Sequence, residues 1–154
     1  MAELELTRTP GDRRLFALDG VGTLRVGGMF SRAATAEAGS SSWQLQRHGV
    51  LRATISASDP SGAVAGEFKR HAVRRGGTLR WGDRELELRP SSIWRERFAL
   101  VERDRELAAI EGKSWGKRPV KITLDDAEAI DPGLLLFAAF VVRALAQDAA
   151  AAAS

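Results

Sequence analysis

The chain has 154 residues, 44% hydrophobic and 28% charged, with 15 Gly, 5 Pro and no Cys. This is the balance of one globular domain and too apolar for a disordered chain. The lack of cysteine excludes a disulfide framework, a thiolate metal site and a Cys nucleophile, and two histidines, His48 and His71, argue against a multi-His metal centre.

Net charge is +3, from 23 basic against 20 acidic residues, so only a local patch could recruit an anionic partner. The excess of Arg over Lys equally fits a compositional bias of the genome.

The N-terminus, Met1-Ala2-Glu3-Leu4-Glu5-Leu6, alternates acidic and apolar residues and lacks the basic start and apolar stretch of a secretory signal. A cytoplasmic protein is the expectation. From Leu4 to Leu124 short alternating runs are punctuated by turn residues. Leu15–Leu18 runs into Asp19-Gly20, and Thr23–Val26 into Gly27-Gly28. Such pairs supply the positive φ angles that tight hairpins need.

Segment 29–42, rich in Ala and Ser, favours neither strand nor helix. Trp43, Leu45 and Arg47 alternate with Gln44 and Gln46; Leu51, Ala53 and Ile55 follow in the same fashion up to Asp59-Pro60-Ser61-Gly62. Val64–Arg70 leads through Val73 to Gly76-Gly77, and Thr78–Trp81 meets Arg84–Arg89 across Gly82-Asp83. Phe98–Val101 is expected to pair with Glu106–Ile110, and Val120, Ile122 and Leu124 form the last strand. Turn signals at intervals of about 8–12 residues mark an all-β sandwich or barrel.

The pattern then changes. Asp131-Pro132 is a helix start, and Leu134–Val142 is apolar on every side until Arg143. A helix without a polar stripe is buried all round. The run from Gly133 to Val142 is shorter than the roughly 20 apolar residues that span a bilayer. Roughly ten to twelve strands and one apolar helix predict a closed antiparallel barrel of about 12 strands with the helix, about 132–146, as its plug. Leu135, Phe137, Phe140 and Val141 would meet the inward-facing strand residues. One domain spans 1–146, and the Ala-rich tail 147–154 is expected to be disordered.

In this combination the chain resembles the tubby C-terminal-like superfamily, in particular LURP-one-related proteins of bacteria and plants and the phospholipid scramblases. The likeness rests on Trp43-x-Leu45, Ile93-Trp94 followed by Phe98-x-Leu100, Ala109-Ile110-x-Gly112 near Trp115-Gly116, and the terminal Asp131–Leu136 stretch, over roughly residues 14–146. It implies a twelve-stranded barrel around a central hydrophobic helix. It also implies membrane-lipid association, since tubby domains bind phosphoinositide headgroups and scramblases act at membranes. The tubby headgroup motif and the scramblase cysteine cluster are both absent from this sequence.

Two basic segments are the candidate anion-binding residues. Lys69, Arg70, Arg74 and Arg75 flank His71 at a strand end and its turn, where guanidinium groups could hold phosphate; a solvated hairpin would carry the same residues. Lys113, Trp115, Lys117 and Arg118 set an indole among three cations, a combination suited to a membrane interface, to single-stranded nucleic acid, or to closing a barrel end. The acidic run Asp125–Asp131 lacks the Gly and Glu spacing of an EF-hand, and no metal or cofactor is expected. Ser40-Ser41-Ser42 lacks a nucleophile elbow, and Gly20-Val21-Gly22 lacks the P-loop continuation, so no catalytic residues are assigned. The expectation is a non-enzymatic module that recognises anionic phospholipid at a membrane surface. A protein-interaction domain without lipid affinity is the alternative, and net +3 disfavours nucleic acid.

Overall fold

The computed structural model describes residues 2–27, 32–49, 54–72, 74–92, 97–112, 120–125 and 130–153. Among these residues twelve strands precede one helix: β1 (Ala2–Thr9), β2 (Asp12–Leu18), β3 (Gly22–Val26), β4 (Ala33–Ala38), β5 (Ser41–His48), β6 (Thr54–Ser58), β7 (Val64–Arg70), β8 (Gly77–Trp81), β9 (Arg84–Ser92), β10 (Arg97–Glu102), β11 (Arg105–Glu111), β12 (Val120–Leu124) and α1 (Pro132–Ala153). Each strand pairs antiparallel with its neighbours in sequence, and β1 closes on β12 from Ala2↔Leu124 to Leu6↔Val120. The mainly-β closed barrel with a C-terminal helix is therefore the fold. Closure leaves no free edge among the described strands.

Alternation works as expected: Leu6, Leu18, Leu24, Leu45, Ile55, Phe68, Leu79 and Leu88 point inward and are fully buried. The strand β4 lies in the segment whose sequence favoured no state, and the interior explains its composition. The helix lies against β3 and β4, and their inward positions include Gly22, Ala34 and Ala36. A Cβ on Gly22 would approach Leu136 Cδ1 to 3.1 Å. Small residues here make room for the helix, so packing overrode a weak strand propensity. Leu51 and Ala53, expected in the strand before Asp59, lie outside the described residues.

The helix begins as the sequence indicated. Asp131 O accepts the Leu135 N–H at 3.0 Å, and Pro132 occupies the first turn. From Gly133 to Val142 every residue is buried. Each fully buried Leu, Phe or Val stabilises by about 1.5–3 kcal/mol relative to exposure. Trp43, Trp81 and Phe137 pack in series at tilted angles beside the helix start, with successive ring centroids 5.7 and 5.6 Å apart.

The helix end corrects the expectation. It continues to Ala153 through residues read as a disordered tail. Alanine is the best helix former, and Asp148 is tied to the barrel by Arg47 and Arg70. Pro132–Ala149 is consequently long and apolar enough to cross a membrane, although most of it is buried inside the barrel.

Candidate functional site

Antiparallel alternation sorts every connection to one of two ends. The turns β2–β3, β4–β5, β6–β7, β8–β9 and β10–β11 stand at the near rim, where α1 starts. They are short, and Arg103 and Asp104 adopt positive φ in one of them. The opposite strand ends, separated in sequence by connections most of which are longer, stand at the far rim, where α1 ends.

The two rims carry opposite charge. Asp19, Asp59, Asp83, Asp104, Asp125 and Asp131 belong to the near rim, where they outnumber its described cations Arg84, Arg103 and Arg105. There Arg84 forms a two-pronged pair with Glu102 at 2.9 and 3.0 Å, which holds the Glu102 carboxyl below its ordinary value. Arg8, Arg13, Arg14, Arg47, Lys69, Arg70, Arg74 and Arg75 belong to the far rim. Two of its acids are engaged: Asp12 accepts from Arg25 at 2.8 Å and from the Arg14 N–H at 3.0 Å, which lower its pKa, and Asp148 is held by Arg47.

The first basic segment is distributed over this rim. Lys69, at the end of β7, is exposed and lies 3.5 Å from Glu67. Arg70 reaches Asp148 at 3.4 Å. Arg74 is exposed in the β7–β8 connection, while the half-buried Arg75 lies over the Phe98 ring, 5.6 Å from its centroid. Lys113, Trp115, Lys117 and Arg118 lie outside the described residues. The residues flanking them, Glu111 at the end of β11 and Val120 at the start of β12, stand at the far rim.

Sequence reading missed the inward-facing cations of this rim. Arg8 lies over the Phe16 ring at 5.9 Å, and Arg47 Nη2 donates to both Asp148 oxygens at 2.8 and 2.9 Å. Burial, with Arg8 as a second positive charge, pulls the Arg143 guanidinium below its ordinary pKa. The signal for Arg47 was present: it continues the period-two series Trp43, Leu45 and therefore faces the helix.

Outside the barrel wall, two grooves follow β7–β10. One, of about 400 Å³, is lined by Glu67, Lys69, Arg70, His71, Thr78, Arg80 and Glu85. The other, of about 580 Å³, includes Glu87, Arg89, Glu102 and Asp104. Glu87 is held below its ordinary pKa chiefly by a 2.6 Å bond from Arg89, with His71 and Arg74 adding positive charge. Among the described residues no cluster of His, Asp or Glu is arranged to hold a metal ion.

Fold and rim together define a closed antiparallel barrel plugged by its own helix, with an acidic and a basic end. No family model, no curated protein and no solved structure matches the chain.

Proposed function

We propose that the protein is a non-enzymatic binding module that meets anionic phospholipid headgroups with its far rim. The observation that carries this reading is the polarity of the barrel. Among the described residues, eight cations scattered along the sequence converge at one end, while six aspartates, with Arg84, Arg103 and Arg105 among them, stand at the other. A modest net charge of +3 thus becomes a directed field. The barrel-and-helix architecture is also compatible with the tubby C-terminal-like superfamily, in which tubby domains bind phosphoinositides. Under this reading the protein works at the cytoplasmic surface of a membrane, without a cofactor.

Co-sedimentation with phosphatidylglycerol and phosphatidylcholine vesicles at low and high salt tests the proposal. Retention on anionic vesicles alone, weakening with salt, is the expected result. Lys69 and Arg74 are exposed, so replacing both by Ala leaves the Arg70 and Arg75 contacts in place. At about 1 kcal/mol per surface cation, the double variant binds about 30-fold more weakly. Absence of wild-type binding to either vesicle would reject the lipid reading in favour of a protein partner.

A further inference from the structure

The last turns of α1 contain an acid where the macrodipole favours a base. Asp148 stands near the negative end of the helix, and the last turn contains no basic residue. Two barrel arginines compensate, but unequally. Arg47 bonds both carboxylate oxygens at 2.8 and 2.9 Å, with its side chain only 15% exposed. Arg70 reaches one oxygen at 3.4 Å, and its side chain is 37% exposed. The second contact is the weaker and wetter, so it yields first.

Arg70 has a second environment. By the period of two it follows Phe68 toward the inner face, and as the last residue of β7 it also borders the outer groove with Lys69, His71, Thr78 and Arg80. The acids of that groove have cationic neighbours of their own: Glu67 lies near Lys69, and Arg80 is the cross-strand partner of both Glu67 and Glu85. Arg70 is therefore the cation whose release most changes the balance of the groove. Its planar fork matches a phosphate oxyanion, and the Thr78 hydroxyl adds a neutral donor.

We propose that Asp148 is an internal competitor: its carboxylate holds Arg70 back from the groove, and an incoming phosphate group takes Arg70 from it while Arg47 keeps the helix end seated. This rests on reading the far rim as anion-facing. It adds that the chain restrains its own phosphate site.

The test compares wild type, Asp148→Asn and Asp148→Asn/Arg70→Gln. Two probes are used: inorganic phosphate against chloride at equal ionic strength, read as thermal shift, and phosphatidic acid vesicles, read by sedimentation. The Asp148→Asn variant is expected to gain affinity about fivefold, the scale of one partly exposed ion pair, and the double variant to lose that gain. Equal affinity of Asp148→Asn and wild type overturns the restraint even if both bind vesicles, and leaves the lipid reading standing. A phosphate-dependent shift of Asp148→Asn without vesicle binding supports the restraint and rejects the lipid surface as its source. No response of either kind rejects both. If Asp148→Asn does not fold, Arg Nε–H NMR signals of the wild type are followed during phosphate titration. Movement of the Arg70 signal with Arg47 unmoved supports the proposal, and an unmoved Arg70 signal overturns it.

Discussion

At Glu102 a partly exposed carboxylate lies in the fork of Arg84, and the bonds from that guanidinium keep its pKa low. A lowered carboxylate pKa contributes stability that is complete above the ordinary value near 4.5 and is lost as pH falls through the folded value. Glu102→Gln should therefore cost about 0.5–1 kcal/mol at neutral pH, and the gap from wild type should narrow as pH falls below the ordinary value of 4.5 in urea titrations. Gly133 presents the opposite kind of residue, defined by what it lacks. A Cβ there would lie 2.7 Å from atoms of both Trp43 and Trp81. Alanine ordinarily favours a helix by about 1 kcal/mol over glycine, but overpacking costs about 1–3 kcal/mol, so Gly133→Ala should lower Tm. A raised Tm would mean that the indoles move aside easily.

The helix is the element on which the barrel depends. Phe137 is fully buried against Trp81, so Phe137→Ala should cost about 3–5 kcal/mol, and Phe137→Asp should leave no folded protein. A soluble, cooperatively melting Phe137→Asp variant would contradict the plug. Much of this element was legible in the sequence, because an apolar run without a polar stripe has few other places to go. Its C-terminal turns were not. Gln147–Ala153 has helix propensity but no large apolar side chain, and its anchor comes from Arg47, far away in the chain. The strand β4 was hidden for a related reason: Ala34 and Ala36 are small because the helix is close, a fact that exists only in three dimensions. The first basic segment was readable as a strand end and its turn. The sharing of one rim by scattered cations was not, because it depends on the parity of connections around the closed sheet.

At the scale of the molecule, the separation of the rims decides how they act. The longest strand has 9 residues. At about 3.3 Å per residue and a tilt of about 40°, the ends lie roughly 20 Å apart, about twice the Debye length at 0.1 M salt. Near-rim substitutions such as Asp83→Asn should thus change vesicle affinity by less than about twofold at that salt. A larger effect in sedimentation would show that the protein approaches the surface sideways. The arrangement of the pairings also has a consequence for biosynthesis. Every neighbouring pair of strands is consecutive except the seam between β1 and β12. The ribosome delivers all twelve strands before the segment that fills them. Hairpins can assemble as they emerge, yet the nascent sheet must stay open, its apolar lining wet, until α1 arrives and the seam can zip. The interval between the two is when this chain most needs a chaperone.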